Sequence, residues 1–291
     1  MEITYSTLRH QLGVVEPFSL LAAGGTQIAV GRRGAGVPVL CLHAIAHGGR
    51  DFDAFADRVT GLGFEVVCAD WPGQGRSPGD ATGTPASAAR YADILVELLE
   101  QLFQPDDPPI VLGNSIGGAA AIMAAERRPE LVRALVLSNP GGLAAVDGFV
   151  RRSCRFLSGA FAAGARGASW YPGAFGLYYR LVLPRRPARC QRIRIIAACR
   201  ETARVLSEAW ASFAETGADI RDVLLRLRLP VFFAWAKDDQ IVSWGRSRAA
   251  VIQSGARVEH FRGGHSPFLE DPDRFAKSFA CFVHDIGLEK S

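Results

Sequence analysis

Lysine is almost missing from this chain. Of its 33 basic residues only Lys237, Lys277 and Lys290 are lysines, so arginine carries nearly all the positive charge and its mere presence in a segment says little. No stretch reaches the roughly 18 to 20 uninterrupted apolar residues that a membrane span requires. The opening Met1-Glu2-Ile3-Thr4 lacks the basic start and apolar run of a secretory signal, which predicts a cytoplasmic protein without a transmembrane segment. The six cysteines, Cys41, Cys68, Cys154, Cys190, Cys199 and Cys281, show no Cys-x-x-Cys and no paired metal-ligand spacing, so buried, reduced thiols are expected and no metal is implied. Internal repeats and low-complexity tracts are missing too. A net charge of +4 is too small to imply a nucleic-acid partner.

What is present is an ordinary globular composition, 48% hydrophobic and 21% charged over 291 residues, enough for one large core with an insertion. Glycine and proline divide the chain into short apolar runs alternating with helical patterns, the mark of parallel strands with crossover helices. Runs at 37–43, 65–70, 110–114, 134–139 and 230–235 read as strands buried on both faces. A further strand is predicted at 257–261, and 19–23 with 26–30 form an antiparallel edge ahead of the rest. Thr84-Pro85 offers a cap and a first-turn proline to a helix whose Tyr91, Ile94, Leu95, Leu98, Leu99 and Leu102 recur at helical spacing. A second amphipathic helix is predicted at 271–286. After the sixth strand the alternation fails for about eighty residues that keep helical periodicity but hold no convincing strand, too long for a loop. The expected organisation is a core domain of residues 1–141 and 220–291, with a helical cap, or lid, of residues 142–219.

Chemistry concentrates at three places. Gly113-Asn114-Ser115-Ile116-Gly117 lies between an apolar strand and the alanine-rich, helical segment 118–126. A serine on so sharp a turn needs small neighbours, and the helix beginning there aims NH groups at a developing oxyanion. Trp235-Ala236-Lys237-Asp238-Asp239 follows another strand, and Gly263-Gly264-His265-Ser266-Pro267 follows the last one. Serine, aspartate and histidine in that order are the set for nucleophilic catalysis. The histidine accepts the serine proton during attack and returns it to the leaving group, while the aspartate selects the tautomer and stabilises the imidazolium.

Together these segments resemble the α/β-hydrolase superfamily over nearly the whole chain outside the insertion. The resemblance implies a mostly parallel eight-stranded sheet flanked by helices, with a helical cap inserted after the sixth strand. It also implies a catalytic triad of Ser115, His265 and Asp239, the carboxylate four residues after the tryptophan being Asp239 and not Asp238. Leu42-His43-Ala44-Ile45 resembles the His-Gly segment of that family, with Ala44 in place of glycine, and carries over the backbone NH groups of Ile45 and Ile116 as the oxyanion hole. Asp70-Trp71-Pro72-Gly73-Gln74-Gly75-Arg76-Ser77 is similar to a scaffold turn of the family. No cofactor is implied.

The remaining histidines carry weaker signals. His10 and His284 read as surface residues and His260 as a strand residue, while His47 lies close enough to the oxyanion segment to line the pocket. The cap, with twelve arginines against five acids, bears +7, leaving the rest of the chain at −3. Its aromatics, Trp170 and Tyr178 among them, are expected to pack the cap and in part to line an apolar pocket. Arg192, Arg194, Arg200 and Arg204 read as one long helix, first as a solvated helix face and, as the alternative, as charge that suits an anionic substrate group, a carrier protein or a membrane surface. Hydrolysis of a carboxylic ester through an acyl-enzyme is the first reading. A carbon-carbon bond hydrolase of the meta-cleavage type, an acyltransferase, or a ligand-binding protein on the same fold are the alternatives. The serine at the elbow sets the chain apart from haloalkane dehalogenases and related epoxide hydrolases, which use an aspartate nucleophile.

Overall fold

A computed structural model describes residues 18–287; His10 lies outside them. Eight strands form one sheet: β1 (Phe18–Ala23), β2 (Thr26–Gly34), β3 (Val37–Leu42), β4 (Phe64–Ala69), β5 (Ile110–Asn114), β6 (Ala134–Ser138), β7 (Val231–Ala236) and β8 (Arg257–Phe261). Their spatial order is β1-β2-β4-β3-β5-β6-β7-β8, with β2 antiparallel to both neighbours and β3 to β8 parallel. The order reverses between β4, β3 and β5, so the loops leaving β3 and β5 diverge and open a crevice at the carboxyl edge of the sheet.

The pleat explains why the strand sequences are apolar throughout. Val39, Cys41, Val66, Ile110 and Leu112 pack into one layer, and Leu40, Leu42, Val67, Val111 and Leu137 into the opposite one. The first layer is completed by α1 (Asp53–Val59) and the final α11 (Pro272–Asp285), through Phe55, Phe275 and Phe279. The second is completed by α2 (Ala88–Leu102), α3 (Ile116–Arg127), α8 (Arg221–Arg226) and α9 (Trp244–Gln253). A strand buried on both faces cannot alternate with polar residues.

Strand edges fall within one residue of the sequence reading except in β2, which runs on to Gly34. Helix α2 differs at its start: Ser87, not Thr84, is the cap, its hydroxyl accepting from Arg90 N at 3.1 Å. The Thr84 hydroxyl is engaged by Thr82 at 2.7 Å in a turn, which removes it from competition. None of the six cysteines is paired; Cys190 and Cys281 are exposed rather than buried.

Between β6 and β7 lie α4 (Gly148–Ala165), α5 (Tyr171–Val182), α6 (Arg189–Ala197) and α7 (Cys199–Ser212). The arginines read as one long helix are divided by a corner at Ala198, whose ψ is 13°. The corner has a packing reason, since it lets α6 lie against α5 while α7 runs along α4. A short α10 (Pro267–Glu270) precedes α11. No described helix is long and apolar enough to cross a membrane.

Candidate active site

Ser115 stands between the end of β5 and the first residue of α3 with φ 55° and ψ −118°, a strained conformation for a residue with a side chain. The strain is held from both sides: Ser115 N donates to Ser138 O at 3.1 Å, and Gly141 N donates to Ser115 O at 3.0 Å. The flanking glycines are required by space. A Cβ on Gly113 would stand 2.6 Å from Gly118 Cα, and one on Gly117 would stand 2.6 Å from Leu42 O. The serine therefore projects at the crevice while its neighbours touch backbone.

His265 and Asp239 arrive from the loops after β8 and β7. His265 Nδ1 lies 2.8 Å from Asp239 Oδ2, and because a carboxylate only accepts, Nδ1 carries the proton and Nε2 is left facing the cavity. Asp239 is fully engaged, accepting also from Asn139 Nδ2 at 2.6 Å, Ile241 N at 2.7 Å and Val242 N at 3.1 Å. Asp238, beside it, is exposed and accepts from Gly263 N at 3.3 Å. Asn139 is itself in the left-handed region, φ 44°, and its Oδ1 accepts from Ala236 N at 2.9 Å, so it ties the end of β6 to the acid loop.

The histidine loop has two further anchors. Asn114, the residue before the serine, donates to His265 O at 3.0 Å and accepts from Ser266 Oγ at 2.9 Å. His265 N donates to Val182 O at 2.8 Å, where α5 ends, and a Cβ on Gly264 would come within 2.2 Å of that same carbonyl. Buried Glu270 closes the arrangement by accepting from Gly264 N and, at 2.8 Å, from Arg185 N. Burial pushes the Glu270 carboxyl up to about 7, with those two NH bonds holding it down.

On the opposite wall runs the loop after β3. His43 is wholly buried, and burial pushes its pKa below the ordinary value against the pull of Asp70. It accepts at Nε2 from Trp71 N at 2.9 Å and donates from Nδ1 to Ala44 O at 2.7 Å, stapling the loop to the turn after β4. The strained residue of the loop is Ala46, φ 65°, whose NH is held by Gln74 Oε1 at 2.6 Å; Ala44 has an ordinary φ, so no glycine is needed there. The NH groups of Ile45 and Ile116 find no acceptor among the described residues. Buried amides rarely stay unpaired unless something else is meant to accept from them.

These elements surround a cavity of about 350 Å³. Ser115, His265, Ile45 and His47 lie in its wall beside Tyr178, Tyr179, Val182, Leu157, Trp210 and Phe213 from the segment between β6 and β7. Trp170 does not reach it, being 53% exposed and turned edge-on to Tyr171. Arg192 is also elsewhere, donating to Leu183 O at the end of α5. Asn114, Asn139, Glu270 and Asp51, a buried carboxylate bonded to His47 Nδ1, went unmarked in the sequence reading. Only Asn139 carried a local signal, in Asn139-Pro140-Gly141-Gly142 directly after a strand.

Residues 39–278 match the model of a family described as the alpha/beta hydrolase family. Lipase LipV of Mycobacterium tuberculosis is 36% identical over 110 residues, which span 38% of this chain and 39% of that lipase. A putative non-heme haloperoxidase of Mycobacterium phage D29 is 24% identical over 92% of this chain and 95% of its own length. Among solved structures, an esterase from Exiguobacterium antarcticum superposes with a TM-score of 0.77 at 19% identity, covering 91% of this chain and 99% of that one. With the family match extending from β3 into the last helix, this chain belongs to the alpha/beta hydrolase family.

Proposed function

We propose that the protein is a serine hydrolase that cleaves a carboxylic ester through an acyl-enzyme. The observation that carries this reading is the 2.8 Å bond between His265 Nδ1 and Asp239 Oδ2 in the wall of the cavity that also holds the strained Ser115. A serine hydroxyl is a weak nucleophile near neutral pH, so Nε2 of His265 takes its proton as Oγ attacks the ester carbonyl. Asp239 keeps the ring in the tautomer that leaves Nε2 free and stabilises the imidazolium that forms. The carbonyl oxygen, now negative, accepts from the unpaired NH groups of Ile45 and Ile116; one such donor is typically worth about 3 to 4 kcal/mol. His265 then protonates the leaving alcohol, and a water molecule repeats the sequence in reverse to release the acid.

Residues 142–219 act in this reading as a lid. They roof Ser115 with Leu157, Tyr178 and Trp210, and they anchor His265 through Val182 O. The apolar wall suits an acyl chain or ring of modest size. The lipase and esterase among the chain's relatives agree with ester cleavage.

Labelling with a fluorophosphonate probe and turnover of short p-nitrophenyl esters test the proposal. Ser115 is expected to be the labelled residue, and Ser115→Ala is expected to lose labelling and at least about 10⁴-fold in kcat with its circular dichroism unchanged. Ester turnover retained by Ser115→Ala would sink the assignment.

A further inference from the structure

The reaction proposed above needs one imidazole, yet two line the cavity. His47 is 5% exposed, and its Nδ1 is bonded to Asp51, which is equally buried. The ring is fixed from outside as well: Tyr179 lies against it with centroids 5.7 Å apart, and the Tyr179 hydroxyl reaches back to Ile45 O at 3.4 Å. With Nδ1 committed to the carboxylate, Nε2 is the only polar atom His47 has left, and it meets no partner among the described residues. Of the polar neighbours in the same wall, Arg246 is paired with Asp147 at 2.8 Å and Gln240 donates to Asp238 O at 3.1 Å, while Trp210 Nε1 and Ser247 Oγ, both buried, have no partner among the described residues. Neither of these two has a carboxylate behind it to set its direction, as His47 has. Burying an imidazole and a carboxylate together costs solvation that an apolar pair of the same size would not, so such a pair in a substrate cavity points to a use.

We propose that His47, oriented by Asp51, binds a hydroxyl group of the substrate, so that the enzyme prefers hydroxylated esters to plain alkyl esters of the same length. This rests on the ester-hydrolase reading above. The choice of a hydroxyl follows from the ring. When neutral, with its proton on Nδ1, His47 presents an acceptor at Nε2; when protonated it presents a donor. A hydroxyl satisfies both states, whereas a carbonyl or an ether satisfies only the second. His47 stands two residues past Ile45, on the oxyanion-loop side of Ser115, so it contacts the ester without taking part in proton transfer to or from Oγ. It is a specificity residue, and Asp51 is its positioning partner.

The test compares ethyl butanoate with ethyl 2-hydroxybutanoate, ethyl 3-hydroxybutanoate and 2-hydroxyethyl butanoate, which place the hydroxyl at two positions of the acyl group or on the alcohol. Each is assayed with the unaltered enzyme, with His47→Phe, and with the double variant His47→Phe/Asp51→Asn, which leaves no unpaired carboxylate behind. The readout is kcat/KM for each hydroxylated ester relative to ethyl butanoate, so differences in intrinsic reactivity cancel between enzymes. At least one ratio is expected to fall about ten-fold or more in the variants, chiefly through KM, because a site built around a hydrogen bond discriminates strongly against its loss. Ratios that all stay within about twofold overturn the proposal, since a merely structural histidine would depress every ester alike. If no ester is turned over, the hydrolase reading fails separately. Calorimetric binding of the same esters to Ser115→Ala, with and without His47→Phe, then decides the hydroxyl site: equal affinity for plain and hydroxylated esters rejects it, and a preference that depends on His47 upholds it.

Discussion

Two imidazole–carboxylate pairs face one cavity, and they are built differently. Asp239 accepts from four donors, His265 Nδ1, Asn139 Nδ2 and the amides of Ile241 and Val242. Asp51, among the described residues, accepts from His47 alone. A carboxylate with four donors is held in one position, which suits the proposed task of orienting a ring that gains and loses a proton in each cycle. One with a single donor tethers a ring and does little more. That difference is what the proposed roles require, a proton relay for one pair and a recognition group for the other, although both consist of the same two residue types.

The sharpest way to break this distinction is to neutralise each carboxylate in turn. Asp239→Asn is expected to lower kcat by about 10⁴, because the amide favours the wrong tautomer of His265 while leaving the fold intact. For Asp51→Asn the loss of kcat on ethyl butanoate is expected to stay within about ten-fold, because His47 transfers no proton in the cycle. Equal losses in kcat would make both pairs relays and dissolve the comparison.

The His265 pair also depends on a carboxyl outside it, and this gives the next effect in size. Glu270 joins the histidine loop to the chain after α5 through Gly264 N and Arg185 N, and burial raises its pKa from the ordinary 4.5 to about 7. Arg185, whose guanidinium lies 3.7 Å from Asp271, and His265, beyond Gly264, are the charged and titratable groups that act on it. An acid whose value is higher folded than unfolded binds its proton more tightly in the fold. Its contribution is complete below the ordinary carboxylate range and is lost as pH rises through about 7, on the order of 3 kcal/mol in all. Urea unfolding at acid and mildly alkaline pH measures it as the stability of the unaltered protein minus that of Glu270→Gln. That difference is expected to shrink by this amount on going to alkaline pH, and a constant difference would mean that the two NH bonds fully offset burial.

Why one pair was legible in the sequence and the other was not has a physical explanation. Ser115, Asp239 and His265 sit on turns so tight that the neighbouring residue types are dictated, as Gly113, Gly117 and Gly264 illustrate, and such constraints write short motifs. The strands were legible for a related reason, burial on both faces forbidding polar alternation in runs such as Val37–Leu42. Asp51 obeys no such constraint. It lies four residues after His47, a spacing that signals contact only where the chain is known to coil, and the chain there enters a 3-10 turn at Gly49–Phe52. Asn139 meets Asp239 across a hundred positions, which no local pattern encodes. Trp170 and Arg192 show the converse: residue types suited to a pocket, one in the turn that starts α5 and one on α6, whose facing only tertiary packing decides.

The smallest expected effect concerns the cavity rim, where recognition by His47 has a rival. Arg246 lines the cavity from α9, but its guanidinium pairs with Asp147, the cap residue of α4, and lies 4.9 Å over the Phe149 ring. Bonds from Val150 N and from Arg246 hold the Asp147 carboxyl below its ordinary range. An exposed pair of this kind is weak and screened by salt, so it links the helices above the site to the sheet domain without fixing them. Raising the salt concentration is therefore expected to change KM for ethyl butanoate by no more than about twofold, and Arg246→Gln is expected to behave at low salt as the unaltered enzyme does at high salt. A much larger rise in KM, confined to hydroxylated esters, would place the arginine rather than His47 against the substrate hydroxyl. Asp51 would then be holding a ring that recognises nothing, and the contrast between the two carboxylates would mark only how strongly each is bound.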